Sequence, residues 1–141
     1  MTRTEELADF AIKANYGNLS SQTVDQLKIR LLDSLGCAMA ALGRGPTPAI
    51  RGYIREFCPR GKCALAGGGK TSPDLAALYN GALVRYLDFN GSYLAKGETC
   101  HPSDNITPVL AAAEYGNAEG RIVSYKQPDT GEALQAIFKE D

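Results

Sequence analysis

The stretch Ser72-Pro-Asp-Leu-Ala-Ala-Leu-Tyr-Asn-Gly-Ala-Leu-Val-Arg-Tyr-Leu-Asp88 decides the fold. Ser72 offers a helix cap, Pro73 presets the first turn, and Asp74 places an acid at the positive end of the helix dipole. Leu75, Leu78, Tyr79, Ala82, Leu83 and Tyr86 then recur at helical intervals, which predicts a helix to about Asp88.

Working upstream, Gly67-Gly68-Gly69 reads as a flexible turn, and Lys62 to Ala66 as a short extended piece. Pro48 to Phe57 carries Ile50, Tyr53, Ile54 and Phe57 on one helical face, and Cys58-Pro59-Arg60-Gly61 ends it. Gly43 to Pro48 is a breaker cluster. Before it, Ser20 and Ser21 offer caps for a helix striped by Val24, Leu27, Leu31, Leu32 and Leu35. Its far half, Gly36 to Leu42, has no polar face and is expected to be buried all round. At the start, Thr2 and Glu5 resemble a capping box for a helix over Thr4 to Tyr16, closed by Gly17.

Downstream, residues 90 to 100 read as a loop. Ser103 is expected to cap a last long helix through Ile106, Val109, Leu110 and Ala113. From Ile122 the character changes: Ser124 to Gly131 is a polar loop, and Glu132 to Lys139 could make about two marginal helical turns. The expected organisation is an all-α, bundle-like unit over residues 1–121 with a divergent, weakly structured tail over residues 122–141.

Composition narrows the function classes. In 141 residues, 44% are hydrophobic and 22% charged, as in ordinary globular proteins. Fifteen basic residues meet 16 acidic ones without a long run of one sign, so no nucleic-acid footprint is present. The start, Met1 to Tyr16, lacks the apolar core of a secretory signal, and the apolar run Leu35 to Leu42 is too short to span a bilayer. A cytoplasmic protein with reduced cysteines follows as the expectation, so the sequons at Asn18 and Asn90 carry no meaning. Cys58, Cys63, Cys100 and His101 could be imagined as a zinc set, but their spacing is wider than in most zinc knuckles; no metal is expected. Gly67-Gly-Gly-Lys70-Thr71 suggests a phosphate loop, yet Ala64 stands where its first glycine belongs.

One cluster stands apart. Asp88-Phe-Asn90-Gly-Ser92 and Glu98-Thr-Cys-His101-Pro-Ser103-Asp104-Asn105 gather acids, amides, hydroxyls and the only histidine between two apolar helices. With a slightly longer helix, Asp88 and Ser92 would share one face. His101 precedes a helix N-terminus, where backbone N–H groups attract carboxylates and favour a neutral imidazole able to accept a proton. A well-capped surface loop is the plainer alternative for the same residues.

The run Arg85-Tyr-Leu-Asp-Phe-Asn90 … Ser92-Tyr-Leu-Ala-Lys-Gly-Glu-Thr-Cys-His-Pro-Ser-Asp-Asn105 … Pro108-Val-Leu-Ala-Ala-Ala-Glu114 closely resembles the 2-methylcitrate dehydratase (MmgE/PrpD) family. Leu31-Leu-Asp-Ser-Leu-Gly36 and Ser72-Pro-Asp … Asn80-Gly-Ala82 are similar to it as well, and the likeness covers about residues 5 to 121. The resemblance implies part of a large helical domain, which in the family is joined to a smaller α/β lid domain, usually in homodimers. It implies small di- and tricarboxylate substrates and no iron–sulfur cofactor, with dehydratase, decarboxylase and epimerase chemistry all represented. It places Asp88, Ser92 and His101 among active-site residues, His101 as a proton-transfer group and Asp88 orienting it or binding a substrate hydroxyl. Ser92 and the helix start formed by Ser103, Asp104 and Asn105 would hydrogen-bond a substrate carboxylate; Lys96 is the nearest cation, with an ordinary exposed lysine as the plainer reading. Members are much longer, and many carry a second acid where this chain has Gly91. A truncated piece, inactive alone, is therefore expected. The rival expectation is a non-enzymatic helical remnant that associates through exposed apolar faces.

Overall fold

In a computed structural model, which describes residues 1–117, 121–126 and 133–138, the chain is mostly helical. Helix α1 spans Arg3–Lys13. Its capping box is complete: Glu5 N–H donates to Thr2 Oγ1 at 3.2 Å, and Thr2 N–H to Glu5 Oε2 at 2.7 Å. The helix stops short of Tyr16 because Asn15 turns its side chain onto Gly17 N–H and starts a separate 3-10 turn over Tyr16–Asn18. Helix α2 spans Ser21–Ala40, with Ser20 accepting from Thr23 N–H. Helix α3 spans Thr47–Phe57, α4 Pro73–Tyr86 and α5 Ile106–Tyr115.

The core lies where α4 meets α2, α3 and α5. Ala38, Ala41, Ile54, Leu65, Ala76, Tyr79, Leu83, Val84 and Ala111 are buried together. Gly81 lets α5 approach α4 closely: a Cβ there would stand 3.1 Å from Thr107 Oγ1. Thr107 itself donates to Ala77 O at 3.3 Å, which ties the two helices.

Strands appear only as hairpins, all antiparallel. Cys63–Ala64 (β1) pairs with Lys70–Thr71 (β2), so the expected extended piece and glycine turn form one unit. Gly67, Gly68 and Gly69 all take positive φ, which explains three glycines in a row. Asn80 on α4 grips this hairpin, accepting from Ala66 N–H and donating to Ala64 O, each at 2.9 Å. The expected loop at 90–100 contains a second hairpin, Tyr93–Ala95 (β3) with Glu98–Cys100 (β4), turning at Gly97 with φ 89°. In the tail, Arg121–Lys126 (β5) pairs with Ala133–Phe138 (β6), so strands replace the expected polar loop at its start and the expected short helix. Residues 127–132 and 139–141 lie outside the described residues.

The second half of α2 departs from expectation. Ser34, Cys37, Ala38 and Ala41 face inward, but Leu35 is 44% and Met39 59% exposed. Among the described residues α2 packs chiefly against α4, so only one face is covered. Among the described residues, no helix is long and apolar enough to cross a membrane.

Two outcomes test this packing. Leu83 is fully buried, so Leu83→Ala is expected to cost about 2–5 kcal/mol in a urea titration. Burial pushes the Cys37 and Cys63 thiols up, whereas Cys100 is exposed. A thiol reagent at neutral pH should therefore label Cys100 at least about tenfold faster than Cys37 or Cys63, until denaturant is added.

Candidate active site

The polar cluster forms where α4 ends. Leu87 closes the helix, and Asp88 turns the chain with φ 56°, a left-handed geometry that Asp tolerates better than most residues. The chain therefore leaves the helix axis at Asp88. The expectation that Asp88 and Ser92 share one helical face does not hold, because the helix has already ended.

The turn delivers Asn90 into the interior, where it is only 4% exposed. Its carbonyl oxygen accepts from Arg85 Nη1 at 3.0 Å. Its Nδ2 donates to Ser103 Oγ at 2.7 Å and, more weakly, to Asp104 Oδ1 at 3.4 Å. Asn90 thus bridges the end of α4 to the 3-10 turn Pro102–Asn105 that leads into α5. Arg85 serves both sides, pairing with Asp88 and reaching Asp104 Oδ1 at 4.0 Å. Among the described residues, no buried side-chain polar atom lacks a hydrogen-bond partner.

The site residues separate into groups. His101 and Ser92 come together: Ser92 Oγ lies 3.2 Å from His101 Nδ1. His101 is half-buried and Ser92 exposed. Asp88 bonds to Arg85 rather than to His101, so the partner that orients the imidazole here is Ser92. Ser103 is buried and spent on Asn90; it makes no cap bond to α5, contrary to expectation. Asp104 remains exposed beside Arg85. Asn105 is exposed, with its Nδ2 3.5 Å from Pro102 O. Lys96 is exposed at the turn between β3 and β4, away from the hairpin's feet that carry Ser92 and His101.

Two participants were given no role from sequence. One is Asn90, whose partners lie 13 and 14 positions away. The other is Arg30 on α2: a Cβ on Gly91 would stand 3.1 Å from its Nη1, so the guanidinium lies over the loop next to Ser92. Arg30 forms no ion pair among the described residues, which leaves its charge available. Only the three-dimensional contact reveals it, since one arginine on a helix's polar side carries no local signal.

The cysteines do not assemble with His101. Cys63 is buried and donates its thiol to Ala111 O at 3.2 Å, while Cys100 is exposed. Among the described residues no three His, Cys, Asp or Glu side chains are placed to share a metal ion.

The class that fold and site define is a mostly helical scaffold that gathers a hydroxyl–imidazole pair, Arg85 and Arg30 around the loop after α4. The chain belongs to the MmgE/PrpD family, whose N-terminal domain model matches residues 5–138. That match runs past Arg121, so the family likeness extends further than the sequence reading expected. The chain is similar to the 2-methylcitrate dehydratase of Escherichia coli (strain K12), 33% identical over 137 residues, covering 95% of this chain and 28% of that protein. It is similar to those of Salmonella typhimurium, 34% identical over 78% of this chain and 23% of that protein, and Cupriavidus necator, 30% identical over 94% and 27%. The chain thus spans about a quarter of the length of these relatives. No solved structure matches it.

The bridge can be measured. A double-mutant cycle between Asn90→Ala and Ser103→Ala should return a coupling of about 0.5–3 kcal/mol in unfolding free energy. A coupling near zero would mean that the two side chains do not share a bond.

Proposed function

We propose that this chain supplies part of the reaction pocket of a 2-methylcitrate dehydratase-type lyase acting on small di- or tricarboxylates. The observation that carries the reading is the Ser92–His101 pair in a chain of this family, with the Arg30 guanidinium against the neighbouring Gly91.

Dehydration removes a proton from carbon beside a carboxylate, and the C–O electrons leave with hydroxide, which must be protonated to water. His101 is one of the two proton-transfer groups. Ser92 holds Nδ1 and so leaves Nε2 to meet the substrate. Arg30 and the exposed Asn105 amide anchor carboxylates, with Lys96 at the hairpin turn as a mobile cation. Asp104 binds a substrate hydroxyl, and Asp88 acts at a distance by fixing Arg85. Ser103 shapes the pocket through Asn90 rather than by touching substrate. The reaction needs no redox cofactor, and the working form is a cytoplasmic homodimer.

In this reading His101 carries one of the two proton transfers. The second group and the opposite wall must come from elsewhere in the assembled enzyme, so the 141-residue protein alone should turn over little or no 2-methylcitrate. Rapid dehydration by the purified protein would contradict this. At the positions matching His101 and Arg30 in a full-length relative, His101→Ala should lower kcat/KM by about 10²–10⁴-fold, while Arg30→Gln should act mainly on KM. Unchanged kcat/KM in the histidine variant would remove it from the chemistry.

The apolar side chains on α1 and α2 favour a second reading. Leu7, Phe10 and Ile12 are 68%, 72% and 84% exposed, an arrangement suited to association with a full-length relative. Size-exclusion chromatography with a dye for apolar surface separates the readings. A dye-negative monomer argues for an autonomous domain, and dye-binding assembly for an association module.

A further inference from the structure

Helix α3 and the β1–β2 hairpin enclose a cleft of about 290 Å3. Three cations line it, Arg51, Arg55 and Lys70, and no carboxylate does. None of the three forms an ion pair among the described residues. The cleft's lining shares no residue with the Ser92–His101 cluster, which follows the end of α4.

Arg51 is held rigidly. Its Nη1 donates to Ala66 O at 2.9 Å and to Tyr79 Oη at 3.0 Å, and its Nη2 to Gly67 O at 3.1 Å and Gly68 O at 2.7 Å. Neutral oxygens thus engage all four Nη hydrogens, so Arg51 acts on a ligand through its charge, and the free donors are those of Arg55 and Lys70. Arg55, one turn along α3, and Lys70, on β2, are exposed and able to swing toward a ligand. Gly68 and Gly69 carry no side chain over the cleft, although Gly68 N–H is spent on Leu65 O at 2.9 Å and Gly69 O accepts from Leu65 N–H at 3.0 Å. Ile54, Leu65 and Pro59 supply an apolar wall. Three like charges in one concave, acid-free space raise the local concentration of anions.

We infer that this cleft is a second anion site, separate from the proposed reaction pocket, which takes a diphosphate group, either free or carried by a small organic molecule. The Gly67-Gly-Gly-Lys70-Thr71 segment acts here not as a strand–loop–helix phosphate cradle but as a hairpin that presents Lys70 to the two arginines. The inference is independent of the dehydratase reading.

Amide NMR of the full chain tests it. Inorganic pyrophosphate, titrated at low salt, should shift the Gly68 and Gly69 amides saturably, and raising the salt should weaken the effect. ADP in a parallel titration identifies the source: tighter binding than pyrophosphate means that the apolar wall holds an organic group, and equal or weaker binding means that the free diphosphate is the ligand. The Arg55→Ala, Lys70→Ala double variant should lose at least about tenfold in affinity, since two charge-assisted contacts go. Both side chains are exposed, so the fold survives their removal, and Lys70→Glu should abolish binding by itself. No shift at these glycines with millimolar pyrophosphate, or unchanged affinity in the double variant, overturns the inference.

Discussion

Everything at the polar end of this protein depends on one buried carboxamide. Asn90 accepts from Arg85 with its oxygen and donates to Ser103 and Asp104 with its nitrogen. An isolated buried amide would be costly, and only full pairing makes its burial favourable. The pairing demands that the end of α4 and the turn before α5 sit at one fixed separation. Between those two anchors the chain has nowhere to go but outward, as the β3–β4 hairpin. The hairpin's two feet carry Ser92 and His101, which explains why residues nine apart in sequence meet.

Helix packing supplies the rigid base under that clamp. Tyr79, Leu83 and Val84 fill the space between α4 and its neighbours, and Gly81 lets α5 lie close. Asn80 works on the other side of the same helix, gripping the β1–β2 hairpin. The two asparagines thus play parallel parts: each uses both ends of an amide to bind an irregular segment to α4. The proposed reaction pocket follows the end of that helix, and the proposed diphosphate cleft is built on the hairpin that Asn80 holds.

The helices were legible because their signals are local. Thr2 with Glu5, Ser72 with Pro73, and apolar spacing along α4 act within a turn or two, and the structure uses all of them except a side-chain bond from Ser72. The Asp88–Asn105 cluster was legible as a concentration of polar residues. Its wiring was not. Asp88 was expected near His101, but its left-handed turn sends it to Arg85. Ser103 was expected to cap α5, but a buried amide claims its hydroxyl. Arg30 and Arg51 act through partners far along the chain, and no periodicity announces such partners. The β3–β4 hairpin was missed because three-residue strands bury too little to leave an alternating pattern. The second half of α2 was misjudged for the opposite reason: an apolar pattern reports what a helix needs to cover, not what covers it.

The most direct measurement is hydrogen exchange at the Asn90 side-chain amide, followed by NMR together with contacts to Ser103. The account predicts slow exchange of both Nδ2 protons and a cross-peak to the Ser103 β-protons, with exchange accelerating in Ser103→Ala. Exchange as fast as that of the exposed Asn18 side chain would contradict it, because the carboxamide would then be in water and the clamp would not exist.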